Sequence, residues 1–224
     1  MQKLENGIHH FQATYFASNR ELFHQLATAG QQPETLFITC CDSRVVPNLI
    51  TNAAPGELFI IRNVGNIVPP ANLNVPGGVS AAIEYAVEVL EVGNIIVCGH
   101  TNCGAIDAIL HPERVGHLHY VSHWLEGSSR IPQLINERYG NLDPEARRAA
   151  AVEENVLVQL ENLRSFDFVA RRLDAGRLKI NGWVFAIGTG DVFNYDPFAE
   201  QFVKLGSDGI YETATPSSRP PSAY

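Results

Sequence analysis

Three stretches of sequence decide the fold of this chain: ELFIIR at Glu57–Arg62, GGVSAAIEYAVEVLEV at Gly77–Val92 and NIIVC at Asn94–Cys98. The first and third are short, continuous apolar runs, which are typical of buried parallel strands. The middle stretch repeats its apolar residues at helical spacing, so that one face of a helix is apolar. A strand, a helix and a second strand in this order predict a parallel sheet.

Further apolar runs predict more strands on both sides of this unit. They are LFIT at Leu36–Thr39, LKINGWVFAI at Leu178–Ile187 and the run Phe198–Leu205, with a turn at Gly188–Gly190 between the last two. The first of these strands ends directly at Cys40.

Helical patterns surround the predicted strands. Residues 1–30 read at helical period as two helices with a break near Ala17–Asn19. Pro144–Leu163 and Phe166–Ala175 predict two more helices, and Asp143 is a good N-cap for the longer one because a proline follows it at the first helical position.

The chain has 224 residues, of which 45% are apolar and 18% charged, as in an ordinary globular protein. This length suits one domain with a substantial core. We therefore expect a single α/β domain over residues 1–212, with a mostly parallel central β-sheet flanked by helices and a helical arm at about residues 1–30. Residues 213–224 are rich in proline and serine and predict a disordered tail.

Charge and hydropathy exclude several classes of function. The net charge is −8 and the acidic residues are scattered, whereas a nucleic-acid partner requires a basic surface. No run of apolar residues is long enough to cross a membrane, and the first residues lack the pattern of a signal peptide. We expect a cytoplasmic protein whose four cysteines are reduced or bind a metal.

The residues that follow the first and third strands predict a metal site. Cys40 ends one strand, and His100 and Cys103 follow another. Because the carboxyl ends of parallel strands lie at one edge of a sheet, two thiolates and an imidazole converge there. Zinc favours this donor set, and three protein ligands leave a fourth position for water, which is the arrangement of a catalytic site.

The other two cysteines leave alternatives open. Cys41 is the candidate for a fourth ligand that would close the site, but neighbouring residues on extended backbone point to opposite sides. One of Cys40 and Cys41 should therefore face the metal and the other should face away. Cys98 ends the third strand and is most simply a buried thiol of the core.

Asp42 and Arg44 lie two and four residues after Cys40, so all three side chains leave an extended segment on the same side. Arg44 would keep Asp42 ionised and oriented, and Asp42 would accept a hydrogen bond from a water on the metal. The alternative is an ordinary ion pair without a catalytic role.

Cys40-x-Asp42-x-Arg44 followed by His100-x-x-Cys103-Gly104 resembles the zinc-binding signature of the β-class carbonic anhydrases. The resemblance runs through Pro55–Pro70, Gly77–Val92 and Val97–Ala105 and continues more loosely to about Asp196. It implies that Cys40 rather than Cys41 is the ligand. It also implies one Zn²⁺ per chain and the reversible hydration of carbon dioxide to bicarbonate and a proton by zinc-bound hydroxide.

The same resemblance implies a substrate site and an assembly. Gln31 corresponds to a glutamine that donates a hydrogen bond to the substrate in family members. The apolar substrate pocket of the family corresponds to Phe59, Val64 and Tyr85. Gly104 belongs to the same site. The pocket lies at a dimer interface in this family. We therefore expect a homodimer, or a multiple of dimers, in which the N-terminal helices extend onto the partner subunit.

One branch of the family has a non-catalytic bicarbonate site built on a tryptophan and a glycine. Phe37 and Thr39 occupy those positions here, so the resemblance favours an open, water-ligated zinc. Closure of the site by Asp42 stays an alternative.

Several further interpretations remain open at this stage. The same zinc site could hydrolyse carbonyl sulfide or carbon disulfide, or it could serve a non-catalytic zinc or bicarbonate-sensing module. His117, His119 and His123 could hold a second metal or relay protons, although a solvated group is the simpler interpretation. Similarity to carboxysomal relatives raises a carboxysome location and a scaffold protein that binds the C-terminal tail.

Overall fold

The structure is a computed structural model that describes residues 1–71, 77–206 and 212–213. Its strands form one sheet in the order β2-β1-β3-β4-β5-β6-β7. They are β1 Thr35–Cys40, β2 Leu58–Asn63, β3 Asn94–His100, β4 Lys179–Phe185, β5 Val192–Asp196, β6 Gln201–Lys204 and β7 Glu212–Thr213.

The half of the sheet that bears the predicted site is parallel. β1 pairs in parallel with β2 on one side and with β3 on the other, and β3 pairs in parallel with β4. β1 and β3 are buried along almost their whole length, because helices cover both faces of a parallel sheet. β5, β6 and β7 extend the sheet with antiparallel pairs. The prediction of a mostly parallel α/β domain is confirmed.

Helices occupy the intervals between the strands and precede the first of them. They are α1 Gln2–Phe11, α2 Arg20–Ala29, α3 Pro47–Thr51, α4 Gly78–Glu84, α5 Gly104–Leu110, α6 His119–Leu125, α7 Ile131–Tyr139, α8 Pro144–Arg164 and α9 Asp167–Asp174. α1 continues as a π-helical turn over Gln12–Phe16, and α4 continues as another over Tyr85–Val89. None of these helices is long and apolar enough to span a membrane.

The longest helix, α8, fixes the geometry of the sheet. Asp143 caps it, since one of its carboxylate oxygens accepts hydrogen bonds from the backbone amides of Glu145 and Ala146 at 2.9 and 3.0 Å. The buried face of α8 packs against β3 and β4. These contacts, together with the core residues of β1, anchor the strand ends where the candidate site lies.

The N-terminal helices form where the periodicity predicts them. α2 begins after Asn19 and ends at Gly30, whose φ of +77° lies in the left-handed region. Neither α1 nor α2 has a buried residue. Their apolar side chains are therefore not part of the core of this subunit.

The structure corrects the prediction at the C-terminal end of the sheet. The turn predicted at Gly188–Gly190 is present, but it leads into β5, which the sequence pattern did not predict. Phe198 is not in a strand: a second turn precedes β6, and the Asp196 carboxylate accepts a 2.8 Å hydrogen bond from its amide. Residues 214–224 of the predicted tail lie outside the described residues.

Candidate active site

The chain topology brings the three predicted metal ligands together at the carboxyl edge of the parallel strands. Cys40 is the last residue of β1, and His100 is the last residue of the neighbouring strand β3. Cys103 lies directly before α5, after a left-handed residue at Asn102 (φ +56°) turns the chain back toward the sheet. The ligand atoms of Cys40, His100 and Cys103 all lie within 4.8 Å of one another.

The two cysteines of this cluster lie in contact with each other. Their sulfur atoms lie 3.9 Å apart, and both residues are buried. The hydrogen bond from Cys103 lowers the pKa of Cys40, while the same contact and burial raise the pKa of Cys103. Two thiolates this close are stable only when a cation lies between them, so the pair fits a divalent metal.

His100 is oriented as a metal ligand. Its Nδ1 lies 3.0 Å from the backbone carbonyl oxygen of Thr101 and donates a hydrogen bond to it, which orients the ring. Its Nε2 is buried and has no hydrogen-bond partner among the described residues. Buried polar atoms are rarely left unsatisfied, so this lone pair fits a metal ion between Nε2 and the two sulfurs.

Arg44 holds Asp42 in a bidentate ion pair beside the cluster. Arg44 Nε donates to Asp42 Oδ1 at 2.9 Å and Nη2 donates to Oδ2 at 2.8 Å, while the Arg44 amide also donates to Oδ1. These hydrogen bonds hold the pKa of Asp42 well below its usual range. Asp42 Oδ2 also lies 3.9 Å from His100 Nε2, so this oxygen faces the metal-ligand cluster.

Arg62 contributes to the site, although sequence reasoning did not single it out. It lies on β2, and its guanidinium donates to the carbonyl oxygens of Cys40 at 3.1 Å and Asp42 at 2.7 Å. These two bonds fix the backbone that carries Cys40 and Asp42. An arginine at the end of an apolar strand was the only sequence signal, and it does not indicate which carbonyl groups are bound.

The residues assigned to the substrate pocket are only partly brought together in one subunit. The rings of Phe59 and Tyr85 lie 6.0 Å apart, and Tyr85 and Val64 are both exposed. Gln31 lies on the surface between α2 and β1. A Cβ added to Gly104 would meet nothing within 4 Å, so packing does not require glycine there.

The remaining cysteines and histidines lie apart from the cluster. Cys41 is exposed and Cys98 is completely buried, which raises the pKa of the Cys98 thiol to about 12. The Nδ1 atom of His123 lies 3.1 Å from a carboxylate oxygen of Glu126. Over the part of the chain that the structure describes, Cys40, His100 and Cys103 are the only group with metal-site geometry, which does not support a second metal at the histidines.

Comparison with known proteins agrees with this geometry. A model of the carbonic anhydrase family matches residues 35–192, which span every strand from β1 to the start of β5 and all three candidate ligands. The solved structure of the β-carbonic anhydrase CcaA superposes with a TM-score of 0.88 at 43% identity, over 92% of each chain. This chain belongs to the β-class carbonic anhydrases.

Other carbonic anhydrases are similar over most of their length. The enzyme of Pseudomonas aeruginosa is 45% identical over 92% of both chains, and that of Synechocystis is 44% identical over 91% of this chain and 74% of its own. A tetrameric β-carbonic anhydrase of Sordaria macrospora superposes with a TM-score of 0.77 at 29% identity, over 86% of this chain and 95% of its own.

Proposed function

We propose that this chain is a zinc-dependent carbonic anhydrase that converts carbon dioxide and water reversibly to bicarbonate and a proton. The observation that carries the proposal is the buried cluster of Cys40, His100 and Cys103 beside the ion pair of Asp42 with Arg44. Two thiolates and one imidazole are a donor set that zinc prefers. A zinc ion held there would lower the pKa of a water molecule to about 7 and so supply a nucleophile near neutral pH.

Asp42 would orient that water and accept its hydrogen bond. Each carboxylate oxygen has two acceptor positions, and Oδ2 uses one of them for Arg44 Nη2. The second position of Oδ2 is available on the side of His100 Nε2, where the cluster lies. Since Arg44 keeps Asp42 ionised, Asp42 acts as an acceptor that aims the water's lone pair at the substrate carbon.

The substrate pocket would be completed by a second subunit. Carbon dioxide is small and uncharged, so the apolar side chains of Phe59, Val64 and Tyr85 suit it. Gln31 would donate a hydrogen bond to a substrate oxygen, and Gly104, which begins α5 directly after Cys103, would belong to the same site. The exposure of Val64 and Tyr85 in the single subunit supports a pocket that closes only in a homodimer.

The experiment that tests the function is stopped-flow measurement of carbon dioxide hydration on protein whose zinc content has been determined. We expect one zinc per chain and a hydration rate that scales with zinc. Cys40→Ala, His100→Ala and Cys103→Ala should each lose zinc and activity, because each removes a ligand. Cys41→Ala is the matched control: it removes the neighbouring exposed thiol and should leave both unchanged.

Two outcomes would contradict the proposal. Hydration that stayed rapid in zinc-free protein would exclude the metal mechanism. A full complement of zinc without hydration would favour the rival activities, and the same protein should then be assayed with carbonyl sulfide and carbon disulfide.

A scaffold partner and a carboxysome location are a separate proposal. It concerns the tail over residues 213–224, which would serve as the binding segment. A pull-down with the full chain and with a chain that ends at Glu212 tests it, and equal capture of both would show that the tail is not needed.

A further inference from the structure

A small cavity between α5, α7 and α8 collects positive charge. Its volume is about 270 Å³, and Arg114, Arg147 and Arg148 line it together with one carboxylate, that of Asp107. With His111 counted as neutral, the lining carries two net positive charges. The whole chain has a net charge of −8, so the cavity is a local exception to the charge of the protein.

The cavity is separate from the candidate metal centre. Its lining includes none of the three candidate ligands and neither Asp42 nor Arg44. The metal centre lies at the start of α5, directly after Cys103, whereas the cavity includes Leu110, the last residue of α5, and His111 beyond it. A ligand in this cavity would therefore occupy a second site.

Two of the three arginines are oriented by side chains of the same cavity. Arg114 Nη1 donates to a carboxylate oxygen of Asp107, and Arg147 Nη2 donates to the side-chain oxygen of Asn136 on α7. A guanidinium group has five N–H donors, so each arginine keeps donors for a ligand. Because their positions are fixed in advance, these side chains lose less conformational freedom when a ligand binds.

The charges of Arg147 and Arg148 are not neutralised within the subunit. Among the described residues, no carboxylate forms an ion pair with either guanidinium, and this includes Glu145 on the same turn. The two arginines are the fourth and fifth residues of α8, near the end where the helix dipole disfavours cations. Helix stability does not account for two neighbouring cations there, whereas a bound anion would offset their repulsion.

We propose that Arg114, Arg147 and Arg148 form a binding site for a phosphate group, either inorganic phosphate or a small phosphate monoester. A phosphate monoester carries a charge of about −1.5 to −2 near pH 7, which matches the two positive charges of the lining. Arginine binds phosphate oxygens through two parallel hydrogen bonds. At about 30 Å³ for each water molecule, the cavity has the volume of about nine waters, which is enough for one phosphate group with part of its hydration.

The test is calorimetric titration of the full chain with inorganic phosphate and, separately, with methyl phosphate, at constant ionic strength. The variants are Arg148→Gln and the double substitution Arg147→Gln with Arg148→Gln, which remove one and two positive charges from the cavity. Arg177→Gln is the matched control, because Arg177 is exposed, lies outside the cavity and loses the same charge as Arg148.

We expect the wild type and Arg177→Gln to bind one phosphate group per chain with equal affinity. Arg148→Gln should bind about tenfold more weakly, as for the loss of a hydrogen bond between charged groups, and the double variant should show no saturable binding. Tighter binding of methyl phosphate would identify a monoester as the ligand, and tighter binding of inorganic phosphate would identify the free ion; both support the site.

Three results would overturn the inference. The first is the absence of saturable binding by the wild type. The second is equal affinity in the wild type and Arg148→Gln, which would place the bound phosphate elsewhere, for example on the metal. The third is equal weakening in Arg148→Gln and Arg177→Gln, which would show only an effect of net charge.

Thermal unfolding separates a binding role from a structural one. Arg148 is exposed, so Arg148→Gln should unfold at the wild-type temperature when phosphate is absent. Added phosphate should raise the unfolding temperature of the wild type and Arg177→Gln but not that of the double variant, because a ligand stabilises only the protein that binds it. A lower unfolding temperature of Arg148→Gln without phosphate, or an equal rise in every variant, would contradict the site. The inference does not depend on the proposed function, which zinc content and hydration test separately.

Discussion

At the scale of single residues, two arginines position Asp42 beside the candidate metal ligands. Arg44 supplies three hydrogen bonds to the carboxylate, and Arg62 fixes the backbone on which Asp42 is carried. Neither arginine is a metal ligand. In the proposed function, holding the metal would therefore fall to Cys40, His100 and Cys103, whereas orienting the reacting water would fall to Asp42.

Asp42→Asn tests this separation. The variant keeps the size of the side chain but replaces one acceptor oxygen with an NH₂ group, which would face the donor Nη2 of Arg44. We expect zinc content to stay at the wild-type level and the hydration rate to fall about 100-fold or more, as for the loss of a positioned acid–base group. The measurements are metal analysis and stopped-flow hydration on the same sample. Full turnover in this variant would show that Asp42 is only an ion-pair partner.

At the scale of elements, the approach of α8 to the sheet depends on two glycines. A Cβ added to Gly99 on β3 would lie 2.9 Å from a methyl group of Val156, and one added to Gly182 on β4 would lie 2.8 Å from the other methyl group. Val156 is completely buried on α8. The two adjacent strands thus leave a shallow depression that one valine fills, and this packing fixes β3, the strand that ends in His100.

Gly182→Ala should therefore destabilise the protein by about 1–3 kcal/mol, because it overpacks a filled core. Val156→Ala, introduced together with it, should recover part of the loss by giving the new methyl group space. Gly188→Ala is the control, since a Cβ there would meet nothing within 4 Å. Thermal unfolding of the four proteins measures the effect, and equal stability of Gly182→Ala and Gly188→Ala would contradict the packing argument.

At the scale of the whole molecule, the N-terminal arm carries apolar side chains that stay exposed in the single subunit. Leu4, Ile8, Phe11 and Tyr15 recur at helical spacing and are 67%, 56%, 41% and 44% exposed. The arm meets the domain where Leu26 packs against Gly56, whose φ of +95° and lack of a side chain permit the contact. An apolar stripe of this kind is stable in water when a partner covers it, and a second copy of the chain is the partner that the proposed function requires.

The double substitution Leu4→Asp with Ile8→Asp tests the arm as a dimer contact. Charges on this stripe cannot be buried without a large desolvation cost, so the dimer should dissociate. Analytical ultracentrifugation should show a monomer, and hydration should fall roughly tenfold or more because the substrate site is no longer aligned. Tyr120→Asp is the control, at a side chain that is 87% exposed outside the arm. A dimer that survived the double substitution would contradict this role of the arm.

The amino-acid sequence by itself determined the parallel half of the fold and the convergence of the ligands. Continuous apolar runs are required where both faces of a strand are buried, so β1 and β3 could be predicted from local pattern. β2 has the same kind of run, but it lies at the edge of the sheet and is only partly buried. The ligands followed, because parallel strands end at one edge. β5 could not be predicted this way, since VFNYD is half-buried and has no continuous apolar run.

Only the tertiary structure decided how the ligands are held. It places Cys40 in the cluster and Cys41 at the surface, orients the ring of His100, and brings Arg62 to backbone groups far away in the sequence. The acceptors of these bonds are carbonyl oxygens, which every residue carries. Which carbonyl meets which donor depends on how separate loops are packed together, and this information is not contained in any local run of side chains.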